Sequence, residues 1–419
     1  MSKIIKIDHL TKIEGHAHLK IKIDDGKLKE CSLGSIEGSR YFEGIVHGRE
    51  PKEAPEITSR ICGICSNAHT LCASMAIENA LNIKVSEQTI KLRNILNWGE
   101  RIRSHATHLY FMSLPDFLGF ESALAMLSKH KEKVQVGLNL MKTGNEMMSL
   151  IGGRDLHPVS AQVGGFLKLP TQDQLNELKT KLEASKKDAI ACIELFLKLN
   201  YPKFESKRPS FSIYNENEYG MLIGSIKTLE KQYRVRDYQK YLREYKETDS
   251  TANFVVKEGK SYRVGALARI NNNKEQLNPL AKKYAKDFPT ENIFYNNLAQ
   301  AIEMLHGIEE CIKIISNLKI VPEKPKTSKL TEGHGIDAIE VPRGILFHEY
   351  KIKDNKITYC NIITPTAQNL ISIEEDIKKL VSSMLNEPKE KIVNEVEMLI
   401  RAYDPCFSCS SHFLDVTWL

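Results

Sequence analysis

No stretch of this 419-residue chain approaches the roughly 18 to 20 uninterrupted apolar residues that a bilayer crossing requires, so no membrane-spanning helix is expected. The N-terminus, MSKIIKIDHLTKIEGH, lacks the apolar segment and small-residue cleavage site of an export signal. No export signal is therefore read. Low-complexity tracts are absent, and hydrophobic residues at 42% against charged residues at 27% exclude a disordered or fibrous chain. The basic excess is only +6 and its lysines are scattered, which argues against a nucleic-acid partner and for a solvated surface. Nine cysteines, an odd number without an export signal, argue against a disulfide framework and for a reducing compartment.

What is present is mostly helical pattern. Residues 3–7 and 17–23 alternate or run apolar around a turn signal at 24–27, which predicts a small N-terminal sheet. Helical periodicity marks 68–82, 87–112, 131–150, 171–198 and 289–319, where Ile302, Leu305, Ile308 and Ile312 share one face. Residues 203–265 suggest hairpins (YRVRDY, NFVVKEGKSYRVG), 321–330 a Pro/Lys-rich exposed linker, 336–364 strands, and 373–401 a last amphipathic helix. The fold class expected is α+β, mainly α with small β-sheets, in one domain spanning 1–419.

Four cysteines form two C-x-x-C pairs, each followed by a histidine. RICGICSNAH carries Cys62, Cys65 and His69; DPCFSCSSH carries Cys406, Cys409 and His412. Some 340 residues separate the pairs, far more than the ~12 to 20 usual within a zinc ribbon. A thioredoxin-like site would leave one pair unexplained. Thiolates drawn from both ends of a chain suit a soft transition metal, with Gly63 expected to let the first loop curl tightly. Spacing alone leaves a catalytic metal centre and a structural zinc site both open.

Here the residues resemble a known family. The two cysteine signatures are similar to those of nickel–iron hydrogenase large subunits. So, in order, are IEGH (Ile13–His16), GGRDLHP (Gly152–Pro158) with GGF (Gly164–Phe166), EVPRG (Glu340–Gly344) and TPTAQN (Thr364–Asn369). The marks span residues 13 to 412. The resemblance implies the hydrogenase large-subunit fold, built on a long helical bundle, and reversible heterolytic cleavage of dihydrogen into protons and electrons.

The resemblance also assigns roles. Cys62 and Cys406 would bind nickel alone, and Cys65 and Cys409 would bridge nickel and iron, the iron carrying carbon monoxide and cyanide. Glu14 would take a proton from Cys406; read without the family it is an exposed turn acid. Arg343, stiffened by Pro342, would stand over the open side of the metals, Thr366 would donate to a cyanide, and His69 would hydrogen-bond a bridging sulfur. Glu43, a carbonyl near Ile362, and His412 would hold magnesium or iron through waters. His105, His108, His157 and His348 are expected to shape the core. Two departures stand out: Val341 replaces the usual alanine, and Ser104 stands where many relatives carry an acid.

The other five cysteines form no iron–sulfur pattern, and Cys72 reads as core. An iron–sulfur small subunit is thus implied, with further electron-transfer subunits such as a diaphorase. Residues 413–419 (FLDVTWL) resemble an extension removed after His412 by a maturation protease once nickel-insertion proteins have loaded the metal; the alternative is a short tail packing Trp418. SHATHLYFMSLPDF resembles the cytoplasmic, multi-subunit, reversible type. The alternatives are a regulatory dihydrogen sensor, a zinc-stabilised scaffold, and a respiratory quinone-module subunit, from which the cysteine pairs are lost.

Overall fold

The computed structural model describes residues 3–24, 27–38 and 40–411. Eight helices of eight residues or more carry it: α1 (Ser66–Ala80), α2 (Glu87–Thr107), α3 (Ala123–Gly152), α4 (Gln172–Leu197), α5 (Ala266–Asn273), α6 (Asn296–Asn317), α7 (Pro365–Ser383) and α8 (Lys389–Ala402). Among the described residues three antiparallel sheets have three strands, and the two with the longest strands are β1 (Lys3–Ile7), β2 (Ala17–Asp24) and β3 (Lys27–Ser35), then β4 (Gly333–Val341), β5 (Gly344–Lys353) and β6 (Lys356–Ile363). The mainly α architecture with small sheets is as expected.

Helix starts follow the sequence chemistry. The Ser86 hydroxyl accepts from Thr89 N–H at 3.0 Å, and Thr171 with Gln174 forms a reciprocal capping box, each satisfying donors that a helix end leaves free. α2, α3, α4 and α6 pack together as a bundle. Where α2 crosses α3 the backbones touch: a Cβ on Gly144 would lie 2.6 Å from the Gly99 carbonyl oxygen, so only glycine fits there. In β2, the buried positions Ala17, Leu19, Ile21 and Ile23 alternate with less buried ones, the period-2 pattern of a sheet with one covered face. α1 lies against β4 and β5.

Three expectations need correction. The helix expected over 373–401 is two, because Pro388 ends one pattern and caps the next: it lacks an N–H, and the residue before it is pushed away from helical geometry. The pattern over 87–112 is helical to Thr107 and then widens into a π-helical turn, His108–Ser113. In YRVRDY only Tyr233 is in a strand, Val235–Lys240 being a 3-10 turn. The 321–330 linker has no regular structure, as read, but is tied down: Glu323 accepts from Ser86 and Thr89, and Lys326 N–H donates to the Gly164 carbonyl.

The bundle closes on a buried ionic cluster. Arg269 on α5 donates to Glu303 on α6 (2.6 and 2.7 Å) and to Glu340 on β4 (2.8 Å). His105 and Arg101 on α2 reach Glu303 at 2.8 and 3.4 Å, and the Tyr219 hydroxyl donates to it at 2.7 Å. None of the four charged side chains is exposed. Burial opposes the charge on Glu303, but Arg269 and Arg101 hold its carboxyl well below the usual range. Removing one partner would strand the others without water. Glu303→Ala is expected to cost about 3–5 kcal/mol, read as a lower urea midpoint. A loss below about 1 kcal/mol would mean the cluster is not what closes the bundle.

Candidate metal centre

Cys62 lies in the loop leading to α1, and Cys65 immediately precedes that helix. This loop is braced from α2. Glu100, fully buried, accepts from the N–H groups of Asn67 (2.8 Å) and Ala68 (3.3 Å), while Arg103, one turn on, donates to the Ile64 carbonyl at 2.8 Å. Both were missed from the sequence; they share a helix face, but nothing in their spacing links them to the cysteines. The role expected of Gly63 is not needed: it has no left-handed φ, and a Cβ there would meet nothing within 4 Å.

The second pair sits on a short turn, Phe407–Ser410, entered through Asp404 in a left-handed conformation (φ 51°). Two elements hold it. The N-terminal segment runs parallel to it through a bridge between Glu14 and Cys406, with Phe407 N–H donating to the Glu14 carbonyl at 3.0 Å. The Thr366 hydroxyl, in the first turn of α7, accepts from Cys406 N–H at 2.8 Å.

The four sulfurs converge. All lie within 4.8 Å of one another and are buried, and no other group of three or more potential ligands is found among the described residues. Sγ separations are 2.8 Å for Cys406–Cys409, 3.1 Å for Cys65–Cys409 and 3.5 Å for Cys62–Cys406. Hydrogen bonds from Cys406, Cys409 and Cys65 pull the Cys62 thiol well below its ordinary pKa. Burial pushes Cys406 and Cys409 well up. Hydrogen bonds from Cys406 and Cys409 favour the Cys65 thiolate, but the bond to Cys62 and burial outweigh them and push it up to about 11. A cation that takes all four as thiolates must displace protons.

Most of the other expected site residues meet here. Glu14 Oε2 lies 2.8 Å from Cys406 Sγ, and its other oxygen accepts from the Ser408 hydroxyl. Burial and the Cys62 charge raise the Glu14 pKa above the ordinary carboxylate value. A narrow gap opens onto Cys65, Cys406 and Cys409, walled by Val341, Pro342, Leu346 and Pro365, with Arg343, Thr366 and His69 as its polar members. Arg343 pairs with Asp404 at 2.9 Å, and its Nη1 is buried with no hydrogen bond among the described residues. His69 Nδ1 is 3.2 Å from His348 Nε2, and His348 Nδ1 is 2.8 Å from the Tyr350 hydroxyl.

The outer groups divide. Glu43 Oε1 accepts from Ile362 N–H at 2.8 Å, which brings those two together; His412 and residues 413–419 lie outside the described residues. Ser104 is buried with its hydroxyl unpartnered, and Asp404 is the only carboxylate ion-paired with Arg343 among the described residues. His105, His108 and His348 are buried and hydrogen-bonded, while His157 is only partly buried and meets the Ser59 carbonyl. Cys72 is core.

Four convergent buried thiols, an apolar cavity beside them and an unpartnered guanidinium N–H fit a soft, thiolate-bound metal centre with small anionic ligands. The comparisons agree. The sequence profile described as nickel-dependent hydrogenase matches residues 40–138 and 231–412. Sulfhydrogenase 1 subunit alpha of Pyrococcus furiosus is 36% identical over 417 residues, covering 97% of each chain. NAD-reducing hydrogenase HoxS subunit beta of Cupriavidus necator is 27% identical, over 99% of this chain and 96% of that one. A solved NAD+-reducing NiFe-hydrogenase in its H2-reduced state superposes with a TM-score of 0.90 at 25% identity, over 98% of this chain and 99% of the other. The chain belongs to the nickel-dependent hydrogenase family. Within it, the chain is a catalytic large subunit of a NiFe hydrogenase, an oxidoreductase with a nickel and iron active site; the zinc-scaffold and sensor alternatives lack this support.

Burial pushes the Glu100 carboxyl up to about 7. A raised native pKa means the folded chain binds the proton more tightly. Stability of the metal-free chain should therefore fall as pH rises from about 4.5 to about 7, by about 3 kcal/mol, and level off above. Glu100→Gln keeps an acceptor for Asn67 and removes this component. An unchanged pH dependence of the urea midpoint in that variant would show that Glu100 is not the group responsible.

Proposed function

We propose that Cys62 and Cys406 bind nickel alone and that Cys65 and Cys409 bridge it to an iron carrying carbon monoxide and cyanide. The single observation that carries this reading is the convergence of the four sulfurs within 4.8 Å, with the Glu14 carboxylate on Cys406 Sγ. When bound, the nickel–iron pair supplies the Lewis acidity and electron-accepting capacity for heterolytic cleavage of dihydrogen. The chain supplies the rest. Glu14, 2.8 Å from Cys406 Sγ, is the base that receives the proton, and its raised pKa suits a group that must both take and release one. Ser408 holds the other carboxylate oxygen and so keeps Oε2 on the sulfur. Arg343 presents its free N–H to the cavity, Thr366 sits at the turn that carries Cys406, Pro342 stiffens the approach of Arg343, and His69 orients toward the bridging sulfurs. The walls from Val341, Leu346 and Pro365 keep water out, which strengthens each of these contacts.

Glu43, the Ile362 carbonyl and His412 form a third site for magnesium or iron, supported by the adjacency of Glu43 and Ile362. The chain forms one domain over 1–419, from which a maturation protease removes 413–419 once nickel-insertion proteins have loaded the metal. No described helix is long and apolar enough to cross a membrane, and the relatives are subunits of multi-subunit enzymes. Both support a cytoplasmic assembly with an iron–sulfur small subunit and electron-transfer partners. The scattered remaining cysteines support placing the clusters in those partners.

Infrared spectroscopy of the enzyme purified with its partners tests the centre. One carbonyl and two cyanide bands that shift under dihydrogen are expected; their absence in nickel-loaded protein overturns the proposed ligand set. Glu14→Gln should keep those bands and the metal content while dihydrogen–deuterium exchange with solvent falls about 10²–10⁴-fold. Exchange at the original rate would remove Glu14 from the proton path.

A further inference from the structure

We infer that Gln300 and His108 are positioning residues for Arg343, acting through Asp404; the inference rests on the proposed place of Arg343 over the nickel–iron centre. Asp404 is gripped on both of its carboxylate oxygens. Oδ1 faces Arg343 at 2.9 Å (Nη2) and 3.1 Å (Nε). Oδ2 accepts from the Gln300 amide at 2.9 Å. Gln300 Oε1 is in turn 2.6 Å from His108 Nδ1, and His108 Nε2 is 2.7 Å from the Arg401 carbonyl. All four side chains are buried, none above 5% exposed.

Hydrogen-bond accounting sets the direction of this chain. Asp404 is ion-paired with Arg343, and its Oδ2 accepts from the Gln300 amide nitrogen. The Gln300 amide nitrogen must then face Asp404, which turns Oε1 toward His108. The Arg401 carbonyl also only accepts. His108 thus sits between the Gln300 amide oxygen and the Arg401 carbonyl, with Nδ1 4.0 Å from Asp404 Oδ2. The reverse amide orientation would set an oxygen against a carboxylate.

Position matters because Asp404 is held at a left-handed φ of 51°, a conformation that persists only where surroundings over-determine it. The π-helical turn beginning at His108 aims the ring across to α6, where Gln300 lies. Arg343 is anchored at its other end by Arg269, which donates to the carbonyls of Val341 (3.0 Å) and Pro342 (2.9 Å). With its backbone tied there and its Nε and Nη2 on Asp404, its Nη1 is left buried without a hydrogen bond among the described residues. Gln300 and His108 thus decide where that N–H points.

The test uses the holoenzyme with its partners and the variants Gln300→Leu, Gln300→Glu, His108→Leu and His108→Asn, with Arg343→Lys as control. Metal content and the carbonyl and cyanide bands are recorded with the turnover number and the KM for dihydrogen. Gln300→Glu, matched in size, sets an acceptor against Asp404 and should shift the cyanide bands and lower the turnover number about 10²-fold, with nickel retained and KM changed less than about twofold. Gln300→Leu and His108→Leu should act in the same direction. His108→Asn keeps a donor toward Gln300 and should recover most of the loss, which a purely space-filling role would not give. The inference is overturned if Gln300→Glu leaves bands and turnover unchanged while Arg343→Lys alters both. If Arg343→Lys also leaves the bands unmoved, the placement of Arg343 over the centre is what fails.

Discussion

Cys62 and Cys406 are 344 positions apart in sequence, yet their sulfurs lie 3.5 Å apart in a buried cluster of four. Crowding sulfur and charge into a low-dielectric interior is unfavourable unless the segments that bear them are held by something else, or by a metal. Much of the rest of the structure answers that constraint. The first pair is held from α2 by Glu100 and Arg103. The second is held by the N-terminal segment at Glu14 and by α7 at Thr366. The beginning and end of the described chain are thereby joined at the site, and the long helices between them act as the span.

Around the sulfurs most buried charged side chains are paired with one another or with backbone groups. Arg269, Glu303, Glu340, Arg101 and His105 form one buried cluster, and its donors extend to the carbonyls just before Arg343. Glu340 and Arg343, three residues apart in one motif, therefore do different work: one locks the strand end to the bundle, the other reaches the cavity. Beside them, Val341, Pro342, Leu346 and Pro365 give an apolar wall. A site of this kind combines rigid backbone, dry walls and a few directed N–H groups, the arrangement that electrostatic stabilisation requires.

Much of the fold was legible in the sequence. The helix over 172–197 was readable almost to the residue because its period is clean and Thr171 caps it. The meander over 333–363 was readable because β-branched residues alternate between turn residues. The helix expected over 373–401 was misjudged because amphipathic period survives across a break, and Pro388 had to be weighed against it. The π-helical turn at His108 left no periodic trace, since a single widened turn shifts later residues by only one position. The cysteines were legible from their own paired spacing, whereas Glu14, Arg343, Thr366 and His69 were legible only through the resemblance of the short motifs that carry them.

By itself the sequence set out the two cysteine pairs, the helical class and the kinship with nickel-dependent hydrogenases, since soft-metal ligation demands particular side chains at close local spacing. Only the tertiary structure decided what surrounds them. That Glu100 and Arg103 brace the first loop, that Ser408 holds Glu14, and that Gln300 and His108 reach Asp404 depend on contacts between segments tens to hundreds of residues apart. A buried carboxylate, amide or imidazole takes whatever partner the packing brings to it, and its identity as a residue does not say which. The direction of each hydrogen bond, and so the aim of Arg343 and Glu14, is set by that packing.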